Sequence, residues 1–198
     1  MPIYLNKFLS NKPMYLAKGK RGKVCKLFNL AIKIKNKESK AIGRINNEVT
    51  WLKKLNKYSI GPKLYYGNNK IIITEFIKGE RILDYIKKCS AKERYDINKE
   101  ILRQCRILDK LNVDKEEMHR PFKHIIIQKN KVLKVTMIDF ERCRYNQKPK
   151  NVTQFAQFLA TTGIQVNENR LRILLKKYKK DFSEENYEKI VYLFLKLK

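Results

Sequence analysis

Val135-Thr136-Met137-Ile138-Asp139-Phe140-Glu141 is the stretch on which the fold turns. Its first four residues are β-branched or large and apolar, which predicts a strand. Asp139 and Phe140 follow where the strand must end. A carboxylate fixed in a turn after a buried strand is the hard oxygen ligand that Mg²⁺ prefers. An aspartate in a turn is common, so the residues upstream decide what Asp139 means.

Upstream, Leu30-Ala31-Ile32-Lys33 predicts a strand, separated from Cys25–Leu27 by a tight turn at Phe28-Asn29. A helix is expected over residues 39–57. Its apolar positions Ile45, Val49, Leu52 and Leu55 fall on one face, and Gly61-Pro62 stops it. Glu48 lies on that helix, 15 residues after Lys33. Residues 63–66 and 70–76 predict a hairpin about Gly67-Asn68-Asn69. Before all of these, Ala17-Lys18-Gly19-Lys20-Arg21-Gly22-Lys23-Val24 forms a basic, glycine-bearing loop between strands. Glycine lets a backbone approach phosphate oxygens with no Cβ in the way.

Beyond Gly79 the pattern turns helical. A short helix is expected over 81–89, a longer one over 93–111, and further helices over 152–161, 167–180 and 183–197. A small hairpin, 124–128 with 132–138, interrupts them. Asn151 is read as the N-cap of the helix over 152–161. The order is thus a β-rich part, residues 1–78, followed by an α-rich part, residues 79–198, within an α+β chain.

Taken in order, these segments resemble the protein kinase superfamily. The loop resembles the family's Gly-rich loop, with Ala17 in the first glycine position and Gly19, Gly22 and Val24 in place. Leu30-Ala31-Ile32-Lys33 looks like the strand that carries the phosphate-binding lysine, and Glu48 looks like its helix partner. Ile71–Ile77 is similar to the strand entering the hinge. Thr74 would be the gatekeeper, and the backbone of Glu75 and Ile77 would meet adenine. Asp139-Phe140-Glu141 resembles the metal-binding turn, with Glu141 replacing its glycine.

Met118-His119-Arg120-Pro121-Phe122-Lys123-His124 looks like the catalytic loop, with His119, Arg120 and Lys123 in place. Pro121, 18 residues before Asp139, occupies the position of the base, and Ile126 that of the second metal ligand. Asp114, Glu116, Glu117 and Glu141 are the nearby acids that would substitute. No long activation segment follows, which is closest to the compact RIO-type kinases.

The resemblance implies a two-lobed, protein-kinase-like fold and an atypical Ser/Thr protein kinase using ATP and Mg²⁺. Lys33 would hold the α/β-phosphates, Glu48 would orient it, Asp139 with Glu141 would hold the metal, and Lys123 would sit near the γ-phosphate. The phosphate acceptor would be a protein. The alternatives are an ATP-binding pseudokinase, since the base position holds proline, and an RNA- or ribosome-associated basic protein on a kinase-like fold. A small-molecule phosphotransferase fits less well, because such enzymes keep the Asp and Asn that are replaced here.

Composition bounds these readings. The formal charge is +27, from 46 Lys and Arg against 19 Asp and Glu, and 35 of the basic residues are lysines. No acid precedes Glu38, while ten basic residues do. Such a field suits a phosphate-bearing partner, either a nucleotide or RNA and the ribosome. No apolar run is long enough to span a bilayer, so no membrane association is expected. No secretion signal is read at the start. The four cysteines form no zinc spacing and are expected to be reduced thiols in a cytoplasmic protein.

Overall fold

The structure, a computed structural model, describes residues 14–18, 22–36, 43–162 and 164–195. Contacts divide the chain into two units. One runs to Lys78 and takes in Asp139–Glu141; the other comprises Gly79–Ile138 and Arg142–Lys198.

The first unit is built on five antiparallel strands: β1 (Met14–Lys18), β2 (Gly22–Leu27), β3 (Leu30–Lys35), β4 (Leu64–Gly67) and β5 (Ile71–Glu75). They lie in the order β1-β2-β3-β5-β4. The register sets Ala17 opposite Val24, Val24 opposite Lys33, and Lys33 opposite Ile72. Helix α1 (Arg44–Leu55) buries the face formed by Ile45, Val49, Leu52 and Leu55.

The helix begins later than its periodicity predicts, with 39–42 outside the described residues. Gly43, just before it, sits at φ 74°, a left-handed conformation that cannot continue a right-handed helix. At its far end, Asn56 turns the chain. Its amide donates to the carbonyls of Ile60 and Pro62, and its side-chain oxygen accepts from the Leu64 amide.

Gly61 sits in that turn at φ 82°, where a Cβ would come within 2.9 Å of both Leu52 Cδ2 and Phe140 Cε2. Gly61→Ala therefore combines backbone strain with overpacking and is expected to cost about 2–4 kcal/mol. An unchanged urea midpoint would show that neither contact is tight.

In the second unit, β6 (Glu80–Arg81), β8 (Ile125–Lys129) and β9 (Leu133–Met137) form one sheet, in the order β6-β8-β9. The helix expected over 81–89 shrinks to α2 (Ile82–Ile86), because Glu80 and Arg81 pair with Ile127 and Ile126 instead. A second pair of short strands, β7 (Val113–Asp114) and β10 (Arg144–Tyr145), was not expected.

Four longer helices complete the unit: α3 (Ala91–Lys110), α4 (Asn151–Ala160), α5 (Glu168–Asp181) and α6 (Glu184–Leu195). Helix α3 starts on a capping box: the Ser90 hydroxyl accepts from the Glu93 amide, and the Glu93 carboxylate accepts from the Ser90 amide.

Asn151 is not the cap of α4 but its first residue, and its side chain is turned into the core. There it donates to the Val113 carbonyl and to Asp109, and accepts from the Lys115 amide. Asp109 takes the capping role, accepting from the Asn151 and Val152 amides. All four cysteines are free thiols. Among the described residues no helix is long and apolar enough to cross a membrane.

Candidate functional site

β3 carries Lys33 between two paired strands, and α1 carries Glu48. The Lys33 ammonium donates to Glu48 Oε2 at 2.6 Å, to Glu141 Oε2 at 3.1 Å and to Asp139 Oδ1 at 3.3 Å. Asp139 and Glu141 reach Lys33 because α1 grips their segment. Asn47 Nδ2 donates to the Glu141 carbonyl at 2.9 Å, and the Phe140 amide donates to Glu48 Oε1 at 3.4 Å. The Phe140 ring is fully buried beside Gly61. Asp139 itself has φ 63°, rare for a residue with a side chain.

Three carboxylates around one ammonium set the electrostatics. Burial alone would lower the pKa of Lys33, but the charges of Glu48, Asp139 and Glu141 outweigh it and hold the ammonium firmly protonated. Burial pushes the Glu48 carboxyl upward, against the pull of Lys33. The Glu141 and Glu48 side chains are almost closed to solvent, while that of Asp139 is 33% exposed. Oxygens of Glu48, Asp139 and Glu141 all lie within 4.8 Å of one another. Oxygen-only donors this close, with negative charge in excess of the lysine, suit a hard divalent cation.

The other predicted residues fall as follows. Ala17 and Val24 flank the row that leads to Lys33, and Gly22 opens β2. Gly19 lies outside the described residues. Thr74 is buried. The Glu75 amide donates to the Lys63 carbonyl at 2.8 Å. Ile77 is buried just past β5.

In the second unit, Lys123 is exposed at the end of a 3₁₀ turn, Pro121–Lys123. Ile126, placed by the His119-Arg120 register in a loop, lies inside β8 with partners on both sides, Arg81 and Thr136. Of the nearby acids, Asp114 is buried and accepts from Arg144, Asn146 and the Lys150 amide. Glu116 faces Arg142 at 4.0 Å. Glu117 pairs with Lys115, which is wholly buried. Nothing in the sequence singled out Lys115 among 35 lysines.

No protein-family model matches the sequence, and no curated protein matches it either. Among solved structures, the chain is similar to that of the Rio2 kinase–ADP/Mg²⁺–phosphoaspartate complex from Chaetomium thermophilum. The TM-score is 0.60 at 11% identity, over 96% of this chain and 72% of that one. The antiparallel sheet with helix α1 and the helical remainder thus have a kinase-like fold.

Proposed function

We propose that this chain is an atypical, ATP-dependent Ser/Thr protein kinase whose nucleotide and cation meet at Lys33, Glu48, Asp139 and Glu141. The observation that carries the reading is the Lys33 ammonium held by three carboxylates at once. The fold likeness to a kinase solved with ADP and Mg²⁺ supports it. Lys33 neutralises phosphate charge, and Glu48 keeps its ammonium in place. Asp139 and Glu141 hold Mg²⁺, which when bound neutralises the charge between the phosphates.

In this reading Gly19 and Gly22 bring the loop backbone to the phosphates, and Glu75 and Ile77 offer the adenine their backbone. Pro121 has no group to accept a proton, and this favours one second reading, a nucleotide-binding pseudokinase.

The test has three readouts. ADP with Mg²⁺ raises the melting temperature of the wild type by mass action; saturation at a hundred times Kd corresponds to about 2.7 kcal/mol. Glu141→Gln weakens Mn²⁺ binding in titration at least tenfold, about 1.4 kcal/mol. Incubation with γ-labelled ATP then separates kinase from pseudokinase: label enters the wild-type protein or an added acceptor, and not with Asp139→Asn. Absence of any thermal shift at millimolar ADP and Mg²⁺ would end the nucleotide reading altogether.

A further inference from the structure

Among the described residues, Lys115 is the one lysine among the largest fully buried side chains, with 0% exposure. Burying an ammonium is costly unless it is paired and hydrogen-bonded. Here Nζ donates to Glu117 Oε2 at 3.1 Å and to the Ile138 carbonyl at 3.0 Å. The lysine is itself pinned, since its amide donates to Asn151 Oδ1 at 2.8 Å and Asn151 is fully buried.

Ile138 is the last residue before Asp139, and its amide donates to the His124 carbonyl at 2.8 Å. The Ile138 carbonyl and the Asp139 nitrogen share one rigid peptide plane. A donor that fixes the carbonyl therefore fixes the plane from which the φ of Asp139 is set. That φ is +63°, a conformation a side-chain-bearing residue keeps only when its surroundings hold it there.

We propose that Lys115 is a positioning residue: it clamps the Ile138–Asp139 peptide and so aims the Asp139 carboxylate at its cation, with Glu117 as the counter-ion that lets the lysine stay buried. The inference rests on the cation site proposed above.

The experiment separates aiming from mere stability. Lys115→Met alone leaves Glu117 buried without its counter-ion and lowers the melting temperature. The double variant Lys115→Met/Glu117→Met replaces a buried ion pair by apolar chains of similar length, and recovers most of that loss. Its Mn²⁺ affinity nevertheless stays at least tenfold below wild type, and the amides of residues 138–141 exchange with deuterium at least tenfold faster. Glu117→Gln strands the buried ammonium without its counter-ion and so also lowers the melting temperature, but it keeps the lysine's bond to the Ile138 carbonyl and binds Mn²⁺ as the wild type does.

A double variant with wild-type Mn²⁺ affinity and wild-type exchange overturns the proposal. If the double variant does not fold, Lys115→Gln, whose amide is too short to reach the carbonyl, carries the same comparison. If the wild type itself binds neither Mn²⁺ nor ADP with Mg²⁺, the cation site has failed. The exchange of residues 138–141 then decides the clamp: unchanged exchange removes it, and faster exchange upholds it.

Discussion

Replacing Asp109 with alanine lowers the unfolding free energy by about 3–5 kcal/mol and the melting temperature by roughly 10 °C. The carboxylate is 3% exposed and sits at the crossing of three helices. One oxygen accepts from the Asn151 amide at 3.0 Å and from Asn151 Nδ2 at 2.7 Å; the other accepts from the Val152 amide at 3.2 Å and from the Tyr178 hydroxyl at 2.8 Å. Alanine leaves these buried donors without their acceptor, and each stranded donor costs on the order of 1–3 kcal/mol before relaxation.

The loss depends on pH. Burial pushes the Asp109 carboxyl up to about 6 from an ordinary 3.8, against the pull of its donors. A folded-state value above the unfolded one means that the native protein binds the proton more tightly. The contribution is therefore fully present below about pH 3.8 and is lost as pH rises through 6. The gap between wild type and Asp109→Ala should widen by up to about 3 kcal/mol as pH falls from 7 to 4. A gap that stays constant would mean that the four donors keep the carboxylate ionised throughout.

Lys33→Met is expected to move two ligands in opposite directions. The ammonium lies 3.1 Å from Glu141 and 3.3 Å from Asp139, so it already occupies the electrostatic place a cation would take. Removing it takes away both the phosphate contact and the repulsion felt by an incoming metal. ADP should lose most of its stabilising effect, while Mn²⁺ alone should bind at least tenfold more tightly, about 1.4 kcal/mol. Without metal the variant should be less stable than wild type, since three carboxylates, two of them closed to solvent, lose their counter-ion. Thermal scans with and without each ligand read all three effects. Equal Mn²⁺ affinity in the two proteins would remove Lys33 from the cation's neighbourhood.

The parts of the molecule legible in the sequence are those where one short string carries both structure and chemistry. The strand ending in Asp139 and the strand holding Lys33 were readable from apolar runs and the residue types that close them. The helix face of Ile45, Val49, Leu52 and Leu55 was readable from its period. What was not legible depends on distant partners. Asp109 and Tyr178 meet across 69 residues, and Lys115 and Asn151 across 36. A two-residue strand such as Val113–Asp114 has no periodicity to read. At Ile126 two signals conflicted: similarity to a loop string further upstream, and the apolar run Ile125-Ile126-Ile127. The run prevailed, because strand pairing on both sides satisfies its backbone.

The assignment of Asp139–Glu141 to the N-terminal unit has a consequence for how that unit comes into being. All five strands of its sheet end by Glu75, so the sheet can form as soon as Glu75 has been synthesised. Its interior cannot be finished then. The slot beside Gly61 waits for Phe140, and Lys33 waits for two of its three carboxylates, 106 and 108 residues further on. A fragment ending at Lys78 would therefore carry a vacant aromatic slot and a Lys33–Glu48 pair without its other two carboxylates. A short peptide containing Asp139-Phe140-Glu141, supplied in trans, has the shape and charge to fill both.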